Sequence, residues 1–236
     1  LGFYVLDHVE DEGGERLDGQ LTVDGPHTIT LSYRQSFGCI IATASYGSPM
    51  APAVSFLRGF RDRYVESTFA GHGFMEAFNA WYYSFSPGVA EKVGRHGGVK
   101  PLLRTALTPL IYTLHIAASV YDLLPAPAEA AMVISGVVAS ALVGVLYFTP
   151  LLAIATILPT FHPRRRRGRW PNPLSLLAIW VLSLLFMVLS EASRFLPMME
   201  AASTALVLST IALSSYSLLY VVRRVVDEKI RRNDSL

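Results

Sequence analysis

The chain has 236 residues, of which 52% are hydrophobic and only 16% charged. A soluble globule averages about a quarter charged residues, and a mean hydropathy of +0.39 excludes a disordered tail or linker. The net charge of +2 hides a division: residues 1–35 hold seven acids against two bases, while residues 159–172 hold five arginines and no acid. That pattern marks a membrane protein with two differently charged sides, and it gives no reason to expect a nucleic-acid partner.

Residues 1–35 read as β structure. Leu17 to Val23 lead into Asp24-Gly25-Pro26, and Ile29, Leu31 and Tyr33 alternate behind it, so the pattern predicts a hairpin turning at Asp24-Gly25. So short a segment cannot bury a core of its own, which points to the end of an extracellular β-domain that continues upstream of Leu1. Residues 1–15 hold no leader-type apolar core.

Residues 36–48 are small, apolar and irregular in pattern. Helical spacing begins at 49–66, with Ala53, Leu57, Phe60 and Tyr64 on one face and Arg58, Arg61, Asp62 and Arg63 around the rest. A second aromatic helix is predicted over 72–85. Ser86-Pro87 then predicts a fresh helix start, running to about Arg95. Together Phe56, Phe60, Tyr64, Phe74, Phe78, Trp81, Tyr82 and Phe85 form an aromatic face suited to a bilayer surface or to a small core.

Four apolar stretches follow, over 101–124, 128–158, 173–196 and 198–222. A span needs about 20 apolar residues, which the last three supply. The first is interrupted by Arg104, Pro109, His115 and Asp122, so it reads as an interfacial or partly buried helix. The predicted fold is therefore a mainly α membrane protein: three transmembrane helices preceded by amphipathic aromatic helices and a short N-terminal β-hairpin. Its divisions fall at 1–35, 36–124 and 125–236.

Arg164, Arg165, Arg166, Arg167 and Arg169 join the first two spans, and Arg223 and Arg224 follow the third. The positive-inside rule puts both clusters in the cytoplasm, with the amino-terminal region outside. The lipid bilayer is thus the expected partner, with anionic headgroups as a further contact of the 164–169 arginines. Gly136, Ser140 and Gly144 recur every four residues in one span, and Ala201, Ala205 and Ser209 in another. Such stripes let helices approach closely, either within this chain or in a homo-oligomer or assembly with other surface proteins.

Cys39 is the only cysteine, so no intrachain disulfide can form. The six histidines show no metal spacing, and neither a metal nor another cofactor is expected. His72 and His96 are the candidate bases for a nucleophilic cysteine by position alone; the alternative is a cysteine packed at a junction. Glu191 and Arg194 stand at the spacing of an ion pair.

The run Cys39, Ile40, Ile41, Ala42, Thr43, Ala44, Ser45, Tyr46, Gly47, Ser48 resembles the CFI-box C-terminal domain of prokaryotic, often archaeal, surface proteins. Phe56-Leu57-Arg58-Gly59-Phe60-Arg61-Asp62-Arg63-Tyr64, Tyr83-Ser84-Phe85-Ser86-Pro87 and Leu102 to Leu110 extend the likeness over about residues 38–112. Ile40 replaces the family's Phe and Ser45 its Ala. Val23-Asp24-Gly25-Pro26-His27-Thr28 is also similar to the end of a bacterial surface β-repeat. The two resemblances imply a cell-surface protein whose outer domains are held by a membrane anchor, and they imply no catalytic activity. The alternatives are a Cys39-dependent processing event or membrane enzyme, and a four-span transport or signalling subunit.

Overall fold

The computed structural model describes residues 3–10, 30–36, 38–157 and 173–233. Strands β1 (Phe3–Glu10) and β2 (Thr30–Ser36) pair antiparallel, from Phe3 opposite Ser36 to Glu10 opposite Thr30. The partner of the second strand is therefore 3–10, a segment not singled out above. The Asp24-Gly25 turn and the 17–23 segment lie outside the described residues.

The rest is helical. Helix α1 (Ile40–Tyr46) occupies the stretch read as irregular. Ile and Thr are weak helix formers, and tertiary bonds override them: the Tyr82 hydroxyl accepts from the Ile41 amide at 3.0 Å. Gly47, at φ +82°, ends the helix with its amide on the Thr43 carbonyl.

Helix α2 (Pro52–Phe60) widens into a π turn over Arg61–Val65. Helix α3 (Phe69–Arg95) then runs unbroken through Pro87, where a new helix start was expected. Proline removes one amide, but its fixed φ is itself helical, and packing on both sides of α3 makes up the loss.

Helix α4 (Val99–Leu123) is a single helix of 25 residues, about 37 Å long. Helix α5 (Ala128–Val143), a π turn (Gly144–Phe148) and α6 (Thr149–Ile157) form one continuous rod. The wide turn precedes Pro150, whose ring would meet the carbonyl one turn back in a regular helix. Helices α7 (Pro173–Ser193) and α8 (Leu196–Asn233) complete the bundle. Among the described residues, three helices are long and apolar enough to cross a membrane: Ala128–Ile154, Leu174–Ser193 and Leu196–Val222.

Helices α3 and α4 pack beside these three, α4 against α5 and α3 against α8, and α4 is partly buried there. The turn from α4 to α5 has only four residues. Near that turn Ala117 and Ala118 are buried by Met132. Near the other end the Tyr147 hydroxyl donates to the Ala106 carbonyl. Helix α3 runs along α8 in the same way, with Gly73 against Met199 and Glu200 at its start.

Two clusters form the core. Phe60, Val65, Met75, Ala117 and Ala118 join α2, α3 and α4; Ala70, Met187, Met199, Ala202 and Leu206 join α3, α7 and α8. The buried polar residues are mostly Ser and Thr, whose hydroxyls bond carbonyls one turn back, as Ser140 to Gly136 and Thr210 to Leu206, both at 2.7 Å. Such bonds satisfy most of these donors in an apolar medium, though the buried Thr113 hydroxyl has no partner among the described residues.

Gly144 is where α8 comes closest to the α5 rod. A Cβ there would fall inside the Ser214 hydroxyl and 2.7 Å from the Ile211 carbonyl. The Ser215 hydroxyl donates across the seam to the Gly144 carbonyl at 3.0 Å. Gly144→Leu should therefore destabilise the bundle by several kcal/mol, on the order of a severe overpacking defect. Thermal unfolding in lipid nanodiscs would measure it, with an unchanged midpoint counting against this seam.

Candidate functional site

The Cys39 motif folds as one unit. Helix α1 is clasped between α3 and α4, and each clasp is a named bond. Tyr82 takes the Ile41 amide, Tyr83 donates to the Gly38 carbonyl at 3.1 Å, and the Arg104 Nε donates to the Ser45 carbonyl at 2.8 Å. The Arg104 guanidinium also lies 5.6 Å from the centre of the Tyr46 ring. Ala42 and Ser45 are buried, and the Ser45 hydroxyl turns back to the Ile41 carbonyl at 2.7 Å. Small side chains at these two positions are what allow α1 to enter the seam. Ser48 steadies the exit, accepting from the Met50 amide at 3.0 Å. Ile40, Thr43 and Ala44 are half-buried on the same helix.

Cys39 sits at the head of α1 as a half-buried free thiol. Burial pushes its pKa up, and the nearby Arg61 and Arg58 guanidiniums offset only part of that rise. The candidate bases are engaged elsewhere: His72 Nδ1 lies 2.9 Å from a Glu66 carboxylate oxygen, and His96 Nδ1 lies 3.1 Å from the Lys92 carbonyl. The charged groups that act on the thiol are Arg61, Arg58 and Asp62, and neither histidine is among them.

The helix-packing residues divide. Gly144 meets α8 within the chain, and Ser209, on α8 itself, is buried with its hydroxyl on the Leu206 carbonyl. Gly136 faces open space apart from Met132, and Ala201 is exposed, so neither stripe acts as one continuous face. Arg164, Arg165, Arg166, Arg167 and Arg169 lie outside the described residues; Arg224 is exposed on the extension of α8 that also carries Arg223. Arg194 pairs with Glu191 at 3.1 Å. The aromatic set also splits: Phe60 and Phe78 turn inward, while Trp81 and Phe85 face out.

One structural node had no counterpart in the sequence reading. The Glu129 carboxylate, at the head of α5, accepts from the Phe69 amide at 2.6 Å and the Ala70 amide at 3.1 Å. The Thr68 hydroxyl accepts from the Gly71 amide at 3.1 Å. Together they satisfy the opening amides of α3, and the negative carboxylate suits a helix N-terminus. Across the node the Arg194 guanidinium lies 5.2 Å from the Phe69 ring centre. The one signal available was that Glu129 is the sole charge in an otherwise uncharged stretch.

No family model, curated protein or solved structure matches the chain. The class defined by the fold is a helical bundle with three helices able to cross a membrane.

Two measurements bear on these arrangements. Glu129→Gln should cost about 1 kcal/mol, the usual scale of a lost helix cap, as a lower unfolding midpoint; no change would remove Glu129 from the node. A raised thiol pKa means less thiolate in the folded chain at pH 7 than in the unfolded one. N-ethylmaleimide should therefore label folded Cys39 more slowly than urea-unfolded Cys39, with the folded rate still climbing after the unfolded rate has levelled. Equal rates at pH 7 would contradict the buried placement.

Proposed function

We propose that this chain is a non-catalytic membrane-anchor module that holds the segment preceding α1 at a cell surface. The observation that carries this reading is the band of large apolar side chains turned outward from the three apolar helices. Val188 is 68% exposed, Leu151 62% and Leu208 61%, among many others on the same rods. Surface of this kind is unstable against water and matched to hydrocarbon. Three such helices make insertion effectively irreversible, so anchoring needs no further chemistry.

The arginines orient the module. With Arg164 to Arg169 and Arg224 on the cytoplasmic side, the 124–127 turn and Arg194 face outside, as does the acidic segment 1–35. Helices α3 and α4 then pass through the same depth as a pair, partly shielded from lipid by the spans they line. Their connecting turn at Gly97 reaches the cytoplasmic side, where Lys92, Arg95 and Lys100 flank it. That basic cluster obeys the same charge rule. A crossing pair also keeps residues 66–68 outside, unlike a fourth span by itself. In this reading residues 38–112 are a CFI-box-type region, and its motif helix is the wedge that locks the pair together.

The chain should remain in the membrane fraction through alkaline carbonate extraction, and release to the supernatant would end the anchor reading. Orientation is tested separately with Gly97→Cys in a Cys39→Ser background. A membrane-impermeant maleimide should label Cys at 97 only after lysis. Labelling on intact cells would show that α3 and α4 do not cross.

A further inference from the structure

A cavity of about 470 Å³, partly open to the surface, lies between the two core clusters, lined by α1, α2 and its π turn, α3, α4, α5, α7 and α8. Its wall on α5 runs from Met132 to Val143, about 16 Å at the helical rise. Most of the wall is hydrocarbon or aromatic ring, from Phe74 and Phe78 on one side to Leu206 and Val207 on the other.

The hydroxyls on the wall are already bonded to the protein. Ser140 donates to Gly136, Ser203 to Glu200 and Thr210 to Leu206. Tyr83 donates to Gly38, and Tyr82 accepts from Ile41. The mostly apolar wall offers water few partners, and a space of this size left dry forfeits the contacts of its lining. The volume falls within the range of about 300–1,000 Å³ common to ligand pockets. Arg61, whose Nε donates to the Asp62 carboxylate at 2.7 Å, lines the end where Cys39 and Tyr83 lie, with Arg58 close enough to act on the same thiol. The Nε of Arg58 is buried and makes no hydrogen bond among the described residues.

We infer that the cavity holds one acyl chain of a membrane phospholipid, with its phosphate toward Arg58 and Arg61. The occupant must be long, flexible and apolar, and end in an anionic group that guanidinium can bind. A bilayer supplies that molecule as its bulk component. This inference rests on the membrane reading above. Gly136 becomes intelligible within it: the glycine leaves room on the α5 wall, since a Cβ there would touch only the Met132 methyl group at 3.8 Å.

The test uses the full chain in phosphatidylcholine vesicles containing a phosphatidylcholine with a photoactivatable diazirine in its acyl chain. Flotation with the vesicles reports insertion, and peptide mass spectrometry reports the cross-linked residues. The expected result is cross-linking to cavity residues such as Phe78 and Val207, alongside outward residues such as Leu182. Gly136→Leu, which projects into the space, should abolish the cavity cross-links while leaving flotation and the Leu182 adduct intact. Should that variant fail to float, Ala139→Leu on the same wall provides the same comparison. Cross-links confined to outward residues in the floating wild-type chain would overturn the cavity assignment and leave the anchor standing. Failure of the wild-type chain to float would overturn the membrane reading and the lipid assignment that rests on it.

Discussion

The first amides of a helix have no partner within it, and where the helix starts against its neighbours a side chain must supply one. In this protein that constraint falls on α3, and it is met by a side chain from another helix. Glu129 takes the amides of Phe69 and Ala70, and Thr68 takes that of Gly71. The ties therefore fix a position as well as satisfy donors: they set the start of α3 against the start of α5. Arg194, stacked on Phe69, brings the α7–α8 turn to the same place. Once these ends are joined, the helices can only run side by side.

Side-by-side packing in lipid gains nothing from the hydrophobic effect between helices, because the tails are as apolar as leucine. Close backbone approach and internal hydrogen bonds must supply the cohesion. Gly73 admits Met199, and Gly144 admits α8 near enough for Ser215 to bond its carbonyl. Trp180 reaches Thr210 at 2.9 Å to tie α7 to α8. Helix α1 follows the same logic on a smaller scale. Its small buried residues, Ala42 and Ser45, let two tyrosines and an arginine grip its backbone. The Cys39 motif thus has a physical reason for its small residues that does not depend on the thiol.

Gly136 and Gly144 share a stripe, yet they do opposite things. One closes a helix seam and the other leaves a hollow open. Spacing along a helix records which residues share a face. What stands opposite that face depends on the helix that arrives there, and α8 crosses near Gly144 while the cavity lies beside Gly136.

The three apolar helices were legible in the sequence, because an uninterrupted run of about 20 apolar residues has few other homes. So was the Glu191–Arg194 pair, which needs only one turn of helix. Local signals misled where distant contacts intervened. The run 36–48 lacks helical periodicity, yet Tyr82, Tyr83 and Arg104 hold it as a helix. Ser86-Pro87 looks like a boundary, yet packing carries α3 through it. The Asp-Gly turn drew attention to 17–23, while the described strand pair uses 3–10. By itself the sequence determined that three stretches are long and apolar enough to cross a bilayer and how charge is distributed along the chain, since transfer energy and charge depend on composition along the chain. Only the tertiary structure decided that α3 and α4 stand beside the spans, that Glu129 caps α3, and that a hollow remains between them. Those outcomes depend on which surfaces meet across tens of residues, and that is a property of packing.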